Sequence, residues 1–168
     1  NVWKITSCPF NFMLNDDQSS YTLVYCNVIN IKDAIIPSTY DGKPVTAIDD
    51  IVFNDYKSLE SVVIPDSITY MGNMAFHGCS NLTSVTMSKS LETIGIGAFM
   101  ECSSLKSIII PNKIKSIGIA TFYNCSNLSS VTIPNSVTII GEGAFGCESL
   151  KCVRIPQGVE SIGKLAFS

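Results

Sequence analysis

Seven cysteines and a single histidine are the residues of this 168-residue chain best suited to nucleophilic, redox or metal chemistry. The thiols divide by spacing. Cys79, Cys102 and Cys125 fall 23 residues apart and Cys147 follows 22 later, whereas Cys8, Cys26 and Cys152 stand outside that ladder. A thiol at a fixed repeat position points the same way in every copy, so ladder cysteines come near one another without facing each other as a bridge requires. Their expected role is that of small buried hydrophobes that become titratable only on unfolding. A structural metal site needs several ligands converging on one point, and a file of single thiols offers none. Cys8 and Cys26 are free either to bridge or to pack. Cys152 stands where other copies carry Ser61, Ser84, Ser107 and Ser130, on a face expected to be exposed, and is the candidate reactive thiol. His77 lies in a variable loop expected to face solvent. With no second histidine and no recurrent Asp or Ser beside it, a catalytic triad has nothing to assemble. Recurrent glycines lack the Gly-Lys-Ser or Gly-x-Gly-x-x-Gly spacing of a phosphate loop and are read as turn residues. No catalytic, cofactor-binding or metal-binding residue is assigned, and the chain is read as non-catalytic.

The elements that would hold these residues follow from one periodicity. Phe53, Phe76, Phe99, Phe122, Phe145 and Phe167 recur at intervals of 23, 23, 23, 23 and 22. Before each stands an apolar residue and, from the second copy on, a glycine: Met71-Gly72, Ile94-Gly95, Ile117-Gly118, Ile140-Gly141 and Ile162-Gly163. After each of the first five comes a leucine that opens a segment such as Leu128 to Pro134. In that segment Leu59, Val62 and Ile64, or Leu105, Ile108 and Ile110, place alternate apolar residues on one face of a short strand. Proline after Ile64, Ile110, Ile133 and Ile155 cannot donate to a ladder and ends it. The expected strands lie near 59–64, 82–87, 105–110, 128–133 and 150–155. A second short extended piece, a glycine turn and a 3₁₀ or short helical piece that seats Phe complete the copy. One copy cannot bury its apolar face alone, so copies must stack as a solenoid with parallel strands, with the phenylalanines and Leu82, Leu105 and Leu128 filed inside.

Composition sets the outer bounds. Apolar residues make up 46% and charged residues 15%, against a usual charged share of roughly 25%, which excludes a solvated disordered chain. The longest unbroken apolar run is Leu23 to Cys26, far short of the about 20 residues of a membrane span, so neither a membrane helix nor an intact signal peptide is read from this segment. A net charge of −3 and a pI near 5.0 supply no basic excess for nucleic acid. Charge is nevertheless uneven: residues 1–84 carry −5 and residues 85–168 carry +2.

The frame Ile-Pro-x-Ser-Val-x-x-Ile-Gly-x-x-Ala-Phe-x-x-Cys-x-x-Leu-x-Ser-Val resembles the 23-residue leucine-rich repeat of BspA-like proteins. That resemblance implies a right-handed coil, with residues 1–44 as a divergent N-terminal cap and residues 45–168 as about five repeats, the last truncated. Trp3 is expected as a core or lid residue of the cap. A chain stopping in mid-repeat at Phe167-Ser168 suggests a fragment with an uncapped edge open to end-to-end association. The resemblance further implies a cell-surface or secreted protein that binds host or extracellular-matrix proteins in adhesion. Alternatives are a structural spacer that presents another domain and an accessory region of a larger surface enzyme. The side chains that alternate with the core positions form the expected partner face: Ser84, Thr86, Ser107, Ile109, Ser130 and Thr132, continued by prolines and by Cys152 and Arg154. Lys106, Lys151 and Arg154 mark its basic end. Asn81, Asn124 and Asn127 begin glycan-acceptor triplets, which are read as by-products of the repeat.

Overall fold

The computed structural model describes residues 8–168; Trp3 lies outside the described residues. Strands β1 (Phe10–Leu14) and β2 (Tyr21–Cys26) form an antiparallel pair at the N-terminal end. After them the chain coils. β3 (Asp33–Ile35), β4 (Thr39–Tyr40) and β5 (Lys43–Ile48) lead into β6 (Ser61–Val63), β7 (Tyr70–Met71), β8 (Ser84–Thr86) and β9 (Thr93–Ile94). β10 (Ser107–Ile109), β11 (Ser116–Ile117), β12 (Ser130–Thr132), β13 (Ile139–Ile140) and β14 (Ser161–Ile162) complete the series. Each coil from β6 to β13 contributes one three-residue and one two-residue strand, and paired strands of successive coils run parallel at identical repeat positions, as in Ser61↔Ser84 and Ile117↔Ile140. The solenoid expected from the repeat is the fold observed.

The strands are shorter than expected: each ends at the residue before the Ile-Pro pair, and the outward-inward alternation runs only as far as the buried Ile64, Ile110 and Ile133. The chain turns there, and Pro111, Pro134 and Pro156 are buried rather than continuing the exposed strip. Ser88, which replaces proline in one copy, is also buried and donates its hydroxyl to the Ile68 carbonyl at 2.6 Å. The strand expected near 150–155 does not form. The residue lost around Gly146 shortens that coil, leaving Leu150 and Val153 half-buried and Ile155 37% exposed.

The third side of each coil carries the phenylalanine and contains turns, with no 3₁₀ or α-helix among the described residues. The cause is an alternation of backbone hand. Residues two before Phe (Ile51, Met74, Gly97, Ala120, Gly143, Leu165) and two after (Asp55, Gly78, Glu101, Asn124) have φ between 50° and 70°. That region interrupts any right-handed helix. Every second N–H therefore points to the next coil: Gly97, Phe99 and Glu101 donate to Ile119, Thr121 and Tyr123 at 2.8–3.0 Å. The intervening N–H groups close turns within the coil, as Met100 does on Gly97. Phe53, Phe76, Phe99, Phe122, Phe145 and Phe167 stack with ring centroids 4.9–5.5 Å apart and planes within 9° of parallel, close to the rise of about 4.8 Å between paired strands. The first four rings are fully buried, as are Leu82, Leu105 and Leu128. Phe10 from β1 meets Phe53 edge-on at 6.2 Å and closes the N-terminal end of the file.

Candidate protein-binding face

The thiols were the first candidates for chemistry, and their surroundings make them packing groups. The Sγ of Cys79, Cys102, Cys125 and Cys147 donates to the carbonyl of Phe53, Phe76, Phe99 and Phe122 respectively, at 3.0–3.2 Å. All four are buried and unbridged. Burial pushes the Cys79 thiol up to about 12 and Cys102 well above its ordinary value. The neighbouring Cys147 thiol and burial push the Cys125 thiol up as well. Cys8 is exposed and Cys26 buried, both free of any bridge, and Cys152 is exposed on the segment that forms no strand.

His77 departs from expectation. It is half-buried, with Nδ1 2.8 Å from Asn54 Oδ1 and Nε2 3.9 Å from Glu101 Oε2, so it ties three neighbouring coils together. Asn81 and Asn127 likewise donate to the carbonyls of Lys57 and Ser103 one coil back. No group of three metal-ligating side chains occurs among the described residues.

What remains is the face outside the three-residue strands. In-register pairing sets its outward side chains in two columns. Asp33, Ser61, Ser84, Ser107 and Ser130 form the first; Ile35, Val63, Thr86, Ile109 and Thr132 form the second. Ser61 donates to Asp33 within the first column. The second holds large apolar groups in water: Ile35 is 70% and Ile109 71% exposed. The structure thus brings together Ser84, Thr86, Ser107, Ile109, Ser130 and Thr132, six of the sequence-derived candidates. Lys106 is exposed immediately before β10. Lys151 and Arg154 are exposed on the unpaired 150–155 segment, with Lys151 Nζ held by the Glu148 carbonyl at 2.9 Å, and they do not extend the paired columns. Sequence reasoning missed Asp33 and Ile35. Their signal was Ala34, Ile36 and Pro37, which repeat the pattern of Val62, Ile64 and Pro65.

This face is not a continuous sheet. β3, β6 and β8 form one ladder and β10 and β12 another. Between β8 and β10 lies a cleft of about 630 Å³, walled by residues 83–87 and 107–112, with Lys89 at its rim. The neighbouring ladder is interrupted at the same level, between β9 and β11.

A stack of short parallel strands filled by a phenylalanine file, with its ladder thiols buried beside the rings, defines a repeat solenoid of the leucine-rich class. A family model described as BspA type Leucine rich repeat region matches residues 46–168 in six copies, and the chain belongs to that family. Among solved structures it is similar to a T. pallidum leucine rich repeat protein, at 27% identity over 92% of this chain and 83% of that one, with a TM-score of 0.73. A leucine rich cell surface protein from Faecalibacterium prausnitzii is 34% identical over 97% of this chain and 51% of that one, with a TM-score of 0.73. A leucine-rich repeat protein from Bacteroides capillosus is 28% identical over 74% of this chain and 93% of that one, with a TM-score of 0.62. The chain spans about half the length of the Faecalibacterium protein. No curated protein matches it in sequence. No helix among the described residues is long and apolar enough to cross a membrane.

Proposed function

We propose that this array is the protein-binding module of a cell-surface or secreted protein, acting in adhesion to host or extracellular-matrix proteins through the outer strand columns. The observation that carries the reading is the register of those columns: hydroxyl groups in one file, and Ile35, Val63 and Ile109 exposed in the next. Soluble proteins seldom leave such apolar groups aligned in water without a partner. A protein partner needs about 800 Å² per side, and a regular lateral face of a solenoid offers such an area. Family membership and the Faecalibacterium neighbour, whose description is a cell surface protein, support the location.

The test is binding to a panel of immobilised extracellular-matrix proteins. Reversing Lys106, Lys151 and Arg154 together to Glu should slow association and reduce its dependence on salt, since such charges steer encounter. Reversing Asp16 and Asp17 at the N-terminal end should do little. Equal effects from both sets, or no binding by the unmodified protein, would favour the spacer reading.

A further inference from the structure

We propose that the cleft between β8 and β10 receives one extended peptide segment of the partner protein, hydrogen-bonded as an inserted strand to both walls. The idea rests on the outer columns being the docking face, and it specifies how the partner is held there.

The argument begins with backbone groups. At the closed junction below, the Glu60 carbonyl accepts the N–H groups of Thr83 and Ser84, and Ile64 N–H donates to the Thr86 carbonyl. At the closed junction above, the Lys106 carbonyl accepts from Ser129 and Ser130, and Ile110 donates to Thr132. At the level of the cleft the equivalent groups are the Thr83 carbonyl and the N–H groups of Lys106, Ser107 and Met87. None of them has a backbone partner among the described residues. Two strand edges with unmet donors and acceptors therefore face each other, and such edges recruit extended chain. A strand about 4.8 Å from each wall restores both ladders, and three residues of it span about 10 Å, the length of the walls.

The lining states what that segment must be. Val85, Ile108 and Ile110 form the floor and Ser84, Thr86 and Ser107 the mouth. Lys89 at the rim has no ion-pair partner among the described residues. The matching peptide alternates a branched apolar residue facing inward with hydroxyl residues facing outward, and carries a carboxylate toward its C-terminal end.

A local sequence difference accompanies the opening without being its cause, since Ser67 at the same repeat position makes no hydroxyl bond and its junction is closed. At the junction above, Ser136 donates its hydroxyl to the Ile114 carbonyl at 2.7 Å. Lys113 occupies the equivalent position at the cleft and has no hydroxyl to offer the Leu91 carbonyl; its Nζ pairs instead with Glu92 Oε1 at 3.0 Å. The phenylalanine side stays bonded at this level, through Gly97, Phe99 and Glu101, so the array opens on one side only.

The experiment is amide hydrogen exchange by NMR on the whole chain, with the blocked peptide acetyl-Ser-Val-Thr-Ile-Glu-amide as probe. In the free protein, the amides of Lys106, Ser107 and Met87 should exchange quickly while those of Ser84 and Ser130 are protected. Saturating peptide should slow the first three by about tenfold or more. The same peptide with its two central amides N-methylated keeps its side chains but cannot pair, and should give no protection. Three outcomes overturn the proposal: protection of those amides in the free protein, no protection on adding the peptide, or equal protection by the N-methylated form. Matrix binding that persists alongside any of these would sink the inserted strand alone, whereas absence of matrix binding would sink the docking face itself.

Discussion

The phenylalanine side and the strand side of this solenoid are made by the same repeat, yet only the first is unbroken. On the phenylalanine side every coil from Phe53 to Phe167 stacks ring on ring and donates backbone N–H groups to the next. On the strand side the ladders part between β8 and β10 and between β9 and β11, and β12 meets no strand in the 150–155 segment. Cohesion is thus concentrated on one side of the array. The reason is tolerance: the ring file needs one large residue per coil and a fixed turn, whereas each strand rung depends on several small positions. A residue lost near 146 leaves the 150–155 segment without a strand, and the rung between β8 and β10 parts while the rings at the same level stay stacked.

The largest expected effect comes from breaking the cohesive side. Phe122→Ala removes a fully buried ring from between Phe99 and Phe145 and should cost about 3–5 kcal/mol. Val85→Ala, on the half-buried wall of the cleft, should cost about 1 kcal/mol or less. Urea unfolding at constant m reads both. Equal losses would show that the two sides hold the array equally.

Next in size is an alkaline effect seated in the same interior. The Cys79 thiol is raised by burial from 9.0 to about 12. Between those values the unfolded chain releases this proton and the folded chain keeps it, so folding binds protons and stability falls as pH rises. The contribution is whole below about pH 9 and is lost progressively toward pH 12. By about pH 10.5 it amounts to roughly 2 kcal/mol at this one site, at 1.36 kcal/mol per unit. Urea midpoints at about pH 8 and pH 10.5 should therefore differ, and Cys79→Ala should reduce the difference by its own share, Cys102 and Cys125 supplying the rest. An unchanged slope in that variant would mean the thiol is not held in the core.

What the sequence showed, and what it hid, divides along the same line. The file of Phe76, Phe99, Phe122 and Phe145 and the burial of Leu82, Leu105 and Leu128 were legible, because a large residue recurring every 23 positions has no other place in a stack. The outward Ser84, Thr86, Ser107 and Ile109 were legible from period-two alternation. The strip was extended too far, onto Pro111 and Pro134, because alternation says where a strand begins more reliably than where the chain turns out of it. The helical piece was misread because left-handed backbone at Met74, Ala120 and Leu165 has no residue-type signature; only Gly78, Gly97 and Gly143 announce it. The cleft was invisible for a further reason: no residue type marks it, since Ser67 and Gly158, which likewise bring no hydroxyl bond to the position of Lys113, lie at junctions that stay paired.

The smallest expected effect gives the sharpest test of the comparison, because it uses two glycines at the same repeat position. A Cβ placed on Gly95 would lie 2.4 Å from the carbonyl carbon of Gly72 and 2.5 Å from Asn73 N, backbone atoms of the coil below that cannot move aside. Gly141 meets the backbone of Gly118 in the same way, at 2.7 Å. Gly118 does not meet Gly95. Its nearest atom is Thr121 Oγ1 at 3.5 Å, and the Ile94 carbonyl is 3.8 Å away, because the coils have parted there. Gly95→Ala should therefore cost about 1–3 kcal/mol through overpacking. Gly118→Ala has room, sits at a φ that alanine adopts, and should change stability by about 0.5 kcal/mol or less, with a slight gain from the stiffer unfolded chain. If the coils closed against each other at this level in solution, Gly118 would be as crowded as Gly95 and both substitutions would cost the same. A difference between them in urea midpoint measures the opening without any ligand, and its absence would return the strand side to the unbroken regularity of the phenylalanine file.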